Sequence, residues 1–184
     1  RDLGSTTLEG SRPGMSMLIH SGLKILAREG YEILIDQGIE KAKLFADMIT
    51  RESDFELVTE PELNILTYRY CPDIVQEALA VADELQAEKM NSCLNRITKF
   101  IQKTQREHGK AFVSRTRLEP ARYYRFPCIV FRVVLANPLT TPEILEDILK
   151  EQKELSNSED IADEIDILYQ MANAVLKPAQ AKIR

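Results

Sequence analysis

Between Met15 and Leu26 the chain is apolar at most positions, interrupted by Ser16, His20, Ser21 and Lys24. A helix apolar on most sides is expected to lie in a core or an interface. Ser11 is placed to cap it. Arg12 and Pro13 fall in its first turn, where proline is tolerated because the first amides lack intrahelical partners, and Gly30 is placed to end it. After Tyr31 the spacing changes. Leu34, Ala42, Phe45 and Ile49 fall near one stripe, with Asp36, Glu40, Lys43 and Asp47 elsewhere on the wheel, which predicts a second helix to about Arg51. Residues 54–70 alternate instead: Phe55-Glu56-Leu57-Val58, and then Leu63 to Tyr70. Pro61 lies between the two runs, so a hairpin or two adjacent strands is predicted, ended by Pro72. Residues 73–84 are ambiguous. A long helix follows over about Leu85–His108, with Met90, Cys93, Leu94, Ile97, Phe100 and Ile101 as its stripe and Gly109 as its stop. Two more strands are predicted at Phe112–Leu118 and Cys128–Leu135, joined by the turn-prone basic segment Glu119–Arg125. Thr141-Pro142-Glu143 combines a hydroxyl cap, a first-turn proline and an acid near the positive end of the dipole, and starts a helix to about Leu155. Ser156-Asn157-Ser158 breaks it. A last helix, about Glu159–Leu176, has a narrow stripe of Ile161, Ile165, Leu168, Ala172 and Val175, suited to docking on a surface or another helix.

Two helices, two strands, a helix, two strands and two helices predict an α+β layer, with an antiparallel or mixed sheet covered on one face. A boundary near Ser53 would separate the front helices from that layer. Composition narrows the class. With 44% hydrophobic and 29% charged residues, the 184-residue chain is neither disordered nor unusual for a globular protein. Seven Gly, eight Pro and three Cys exclude collagen-like and disulfide-scaffold classes. A net charge of −5 argues against nucleic-acid binding through bulk charge. The longest apolar run, Pro127–Ala136, is broken by Arg132 and is far short of the ~20 residues that span a bilayer, and no secretory signal is read. Cys71, Cys93 and Cys128 are scattered and odd in number, which predicts reduced thiols in a cytoplasm and no zinc site. Arg1 stands where Met is usual, and Arg1-Asp2-Leu3-Gly4 reads as the middle of a longer polypeptide.

Candidate chemistry is sparse. No nucleophile–base–acid triad is present. His20, on an apolar helix, is expected to be structural, as is His108, whose charge suits a helix C-terminus. Gly10-Ser11-Arg12-Pro13-Gly14 is a glycine-flanked turn into a helix N-terminus, suited either to capping alone or to holding an anion. Arg132 lies inside Ile129-Val130-Phe131-Arg132-Val133-Val134-Leu135, and a guanidinium in such a run needs a partner or a cleft. A structural ion pair, a water-facing edge position and a two-pronged hold on a ligand carboxylate all satisfy that need. Arg115, Arg117, Arg122 and Arg125 form a basic patch, opposed in sign by the acidic segment 143–166.

Three stretches resemble, in matching order, the group II pyridoxal-phosphate-dependent amino-acid decarboxylases, the family of glutamate, aromatic-amino-acid and histidine decarboxylases. They are Leu8-Glu9-Gly10-Ser11-Arg12-Pro13 with its following helix to Gly30-Tyr31, Asn64–Tyr70, and Phe131-Arg132-Val133-Val134-Leu135-Ala136-Asn137-Pro138 with the Thr141-Pro142 helix start. The resemblance covers about residues 5–155. The wording Thr7–Gly14 and Lys99–Glu107 is most similar to the bacterial branch that converts aspartate to β-alanine.

The resemblance implies the C-terminal part of a fold-type I enzyme. Residues 1–53 would end the large domain with its connecting helices, 54–158 would form the small domain, and 159–184 would be a helical extension. It implies a cytoplasmic homodimer in which two subunits build each active site, acting on a small amino acid, with no nucleic-acid or membrane partner. Gly10, Ser11 and Arg12 would reach the neighbouring subunit's cofactor and substrate, with Ser11 helping to set specificity. Arg132 would bind a substrate carboxylate. The implied cofactor is pyridoxal 5'-phosphate, whose ring is the electron sink for CO2 loss. The family's Schiff-base lysine follows a histidine, and no His-Lys pair exists here: His20 precedes Ser21 and His108 precedes Gly109. The chain alone is therefore expected to be inactive. Pro13 departs from animal members, which place a second basic residue or histidine there. Aspartate is the favoured substrate and glutamate the next. The other readings are a 2,4-diaminobutyrate decarboxylase and a non-catalytic dimerisation module.

Overall fold

The computed structural model describes residues 14–109 and 111–181, with side chains to residue 177. The two helices expected at the front are one helical run, α1 (Met15–Arg51). Its break falls at Ala27 (φ 52°, ψ −167°) and not at Gly30. Gly30 serves close approach instead: a Cβ there would sit 3.0 Å from the Leu26 Cβ. Beyond the break, Ala42, Phe45, Ala46 and Ile49 are buried, as their stripe requires. Before it, Met17, Leu18, Ile19 and Ile25 remain exposed.

The hairpin is β1 (Phe55–Glu62) and β2 (Ile65–Tyr70), antiparallel. Pro61 belongs to β1 rather than to the turn. β1 is an edge strand, where a missing ladder donor is tolerated. The turn is Leu63-Asn64, with Leu63 at φ 55°. The ambiguous segment forms α2 (Asp73–Val81), which buries Val75, Ala78 and Leu79. The long helix is α3 (Glu84–His108). Its start is fixed by a capping box in which Gln86 N donates to Asp83 Oδ1 (2.8 Å) and Asp83 N to Gln86 Oε1 (3.0 Å). Its end is Gly109 at φ 73°, the left-handed cap that glycine favours. Strands β3 (Ser114–Leu118) and β4 (Cys128–Val134) complete a four-stranded sheet in the order β1-β2-β4-β3, antiparallel at every pairing. Helix α4 (Pro142–Ser156) begins at the Thr141-Pro142 signal. A 3-10 turn (Glu159–Ile161) leads into α5 (Ala162–Ala181), whose stripe docks on α2 and α3 with Leu168 and Ala172 fully buried.

The helix-covered side of the sheet holds an aromatic cluster. Tyr68 lies 5.1 Å from Phe131, ring centre to ring centre, and meets Phe45 and Phe55 edge-on at 5.5 and 5.9 Å. Its hydroxyl donates to Gln152 Oε1 (2.9 Å), and Gln152 Nε2 donates to Gln105 Oε1 (2.9 Å), so these three polar groups are paired across β2, α3 and α4.

Burial pushes the Cys71 thiol up to about 12 and raises the Tyr68 and Tyr70 hydroxyls above the usual phenol range. An acid whose pKa is higher folded than unfolded contributes stability that is full below the unfolded value and is lost as pH rises through the folded one. With unfolded values of about 8.5 for a thiol and about 10 for a phenol, the urea midpoint is expected to fall progressively above about pH 8.5. An unchanged midpoint at about pH 11 would contradict this.

Candidate functional site

Successive residues of a strand face opposite sides of a sheet. Phe131 enters the aromatic cluster, so Arg132 faces the other side. β4 is an interior strand, and its register sets Arg132 opposite Thr67 on β2 and opposite Ser114 on β3. Thr67 in turn pairs with Thr59 on β1, and their hydroxyls are 2.8 Å apart. A polar row Thr59–Thr67–Arg132–Ser114 thus crosses all four strands. Beside it lies an apolar pair, Ile65 opposite Val134, with 42% and 50% of their surface exposed.

The Arg132 side chain is exposed. Its Nε donates to Ser114 Oγ (3.3 Å), and Ser114 Oγ donates to the Arg132 carbonyl oxygen (2.8 Å). Among the described residues Arg132 enters no ion pair. Among the described residues it is therefore neither a structural salt bridge nor, on β4, an edge residue. It is a water-facing guanidinium on an interior strand, with the terminal nitrogens available to a ligand. Gly10, Ser11 and Arg12, the other candidates, lie outside the described residues.

The arginine that is buried is Arg69, with none of its surface exposed. Its Nε donates to Glu56 Oε2 (2.7 Å) and Nη1 to Asn91 Oδ1 (2.7 Å), and the guanidinium stacks 4.5 Å from the Tyr123 ring centre. Glu56 also accepts from the Tyr123 hydroxyl and pairs with Arg122 (2.8 Å). Burial alone lowers the Arg69 pKa. Cys71, Glu56, Tyr123 and Cys128 around it more than reverse that, so it stays charged. Sequence reasoning missed this network. Its one signal was an arginine between two tyrosines, Tyr68-Arg69-Tyr70, in an alternating strand.

The basic patch is partly spent internally: Arg122 on Glu56, and Arg117 on Glu119 (2.7 Å). His20 is exposed. His108 lies 3.3 Å from Glu151 Oε1 and joins α3 to α4. No described lysine is buried. Lys41 is committed to the Asn137 and Pro138 carbonyls, and Lys153 to Glu52 and Asp54. The described residues hence offer an exposed guanidinium but no enclosed lysine and phosphate cradle for a cofactor such as pyridoxal phosphate. No helix among them is long and apolar enough to cross a membrane.

No family model matches the sequence. The chain is 55% identical over 176 residues to an aspartate 1-decarboxylase of Aliivibrio fischeri, an alignment covering 96% of this chain and 32% of that protein. In fold it is similar to mouse CSAD in its apo form, with a TM-score of 0.64 and 19% identity over 84% of this chain and 30% of that one. It is similar too to Oryza sativa TDC with PLP and tryptamine, with a TM-score of 0.55 and 15% identity over 73% of this chain and 25% of that one. The chain spans about a third of the length of that aspartate 1-decarboxylase. With that extent of identity across nearly its whole length, the chain belongs to the group II pyridoxal-phosphate-dependent amino-acid decarboxylases.

Proposed function

We propose that these residues serve a decarboxylase that removes the α-carboxylate of L-aspartate as CO2 and leaves β-alanine. The observation carrying this is the 55% identity, across nearly the whole chain, to an aspartate 1-decarboxylase. Arg132 states what the chain contributes: a two-pronged hold on a substrate carboxylate, which fixes the substrate's orientation for bond breaking. Residues 1–53 act as the end of the large domain, 54–158 as the small domain and 159–184 as its helical extension. The Schiff-base lysine and the phosphate ligands come from parts of the polypeptide outside these 184 residues, so the chain alone does not decarboxylate.

The working enzyme is a cytoplasmic homodimer. Gly10, Ser11 and Arg12 approach the neighbouring subunit's site. The apolar helix before Ala27 supports this, since Met17, Leu18, Ile19 and Ile25 are between 66% and 81% exposed and need cover. The test is an assay of the full-length holoenzyme for CO2 and amine product from aspartate, glutamate and 2,4-diaminobutyrate. Aspartate is expected to give the highest kcat/KM. Release of CO2 from diaminobutyrate but from neither acid would overturn the assignment.

A further inference from the structure

We propose that Ser114 is a positioning residue for Arg132, orienting its guanidinium so that both terminal NH2 groups point at the substrate carboxylate. The proposal rests on the reading of Arg132 as the carboxylate fork and adds the element that aims it.

An exposed arginine samples many rotamers, and freezing them on binding costs affinity. Ser114 reduces that freedom in two ways. Its Oγ accepts from Arg132 Nε at 3.3 Å, which fixes the inner end of the guanidinium. The same oxygen donates to the Arg132 carbonyl at 2.8 Å, which fixes the hydroxyl's own direction and turns its lone pairs towards Nε. Both partners belong to one residue, so the hydroxyl is locked to Arg132 alone. The ladder between β3 and β4 holds the two residues directly opposite each other, so neither can move away without breaking the sheet.

The occupied Nε also selects the mode of binding. A guanidinium grips a carboxylate either end-on, through Nη1 and Nη2, or side-on, through Nε and one Nη. With Nε engaged by Ser114, the side-on approach is closed and the end-on one remains. On the far side of Arg132, Thr67 does not compete for it, because its hydroxyl is paired with Thr59.

The experiment uses the full-length holoenzyme with four single variants, S114A, S114V, S114T and R132M, and the double variant S114A/R132M. KM and kcat for aspartate are measured, together with the inhibition constant of succinate, a dicarboxylate with no amine to react. Loss of the hydroxyl in S114A and S114V is expected to raise KM and the succinate constant about tenfold, the effect of losing one hydrogen bond to a charged group, with kcat changed far less. S114T, which keeps the hydroxyl on a branched side chain close in shape to valine, is expected to restore both constants to within about twofold of wild type. The S114A/R132M double variant is expected to be no weaker than R132M alone. If R132M raises both constants while S114A and S114V leave them unchanged, the positioning role is overturned and the Arg132 reading stands. If S114T is as impaired as S114V, shape rather than the hydroxyl is responsible and the proposal fails. If R132M itself changes neither constant, the carboxylate fork is refuted and the positioning role with it.

Discussion

Replacing Arg69 with Met is expected to lower the unfolding free energy by about 3–5 kcal/mol, the usual loss when one partner of a buried ion pair is removed. The number follows from what stays behind. Glu56 is 6% exposed, and in the variant its Oε2 loses the donor that now sits 2.7 Å away. Asn91 Oδ1 loses Arg69 as well and keeps only the longer bond from Cys128 Sγ (3.5 Å). Glu56 Oε1 keeps Arg122 and Tyr123, which places the expected loss nearer the lower end. Methionine preserves most of the apolar volume, so the loss reports on charge and hydrogen bonding rather than on a cavity. Urea denaturation measures it. A double-mutant cycle with Glu56→Gln separates coupling from truncation, and the double variant should lose clearly less than the two single losses added together. A loss below about 1 kcal/mol for Arg69→Met would mean that the network is dispensable for stability.

That arginine and Arg132 show how far the sequence can be read. Each interrupts a run of strand-forming residues, Tyr68-Arg69-Tyr70 in one case and Phe131-Arg132-Val133 in the other. The rule that a buried guanidinium needs a partner is sound, but it applied to Arg69. Both lie on the side of the sheet opposite the aromatic cluster; what buries Arg69 and leaves Arg132 in water is the placement of Asn91 and Tyr123, far away in sequence, and no local period carries that information. Elements with a strong period were legible. The stripe of α3 and its Gly109 stop, the Thr141-Pro142 start of α4 and the two strand pairs all lie within a few residues of where the pattern put them. Short or bent pieces were not. α2 has only nine residues, and the break in α1 falls at Ala27 rather than at the nearby Gly30. Ser114 carries no motif. Only the register that sets it opposite Arg132 gives it a role, and register is a property of the assembled sheet.

Replacing Arg132 with Met in the full-length holoenzyme is expected to reduce kcat/KM for aspartate by about 30- to 1,000-fold, the equivalent of about 2–4 kcal/mol for removing one partner of a desolvated charge pair. Stability should be almost unaffected, because Arg132 is exposed and, among the described residues, its side chain bonds only to Ser114. This separation of effects is the mirror image of Arg69→Met, which should unfold the sheet more readily without touching a ligand directly. Lysine at position 132 retains the charge but not the planar fork. It should recover only part of the lost kcat/KM, since a single ammonium cannot hold both carboxylate oxygens in one plane. Steady-state kinetics with aspartate, alongside thermal melting of each variant, checks both halves. Wild-type kcat/KM in Arg132→Met would remove the arginine from substrate binding. A melting temperature lowered as much as by Arg69→Met would recast Arg132 as a structural residue whose partner lies elsewhere in the polypeptide. The expected pattern, activity lost with stability kept, ties the water-facing end of β4 to the substrate, because an exposed arginine can take up a carboxylate there without giving up a contact on which the fold depends.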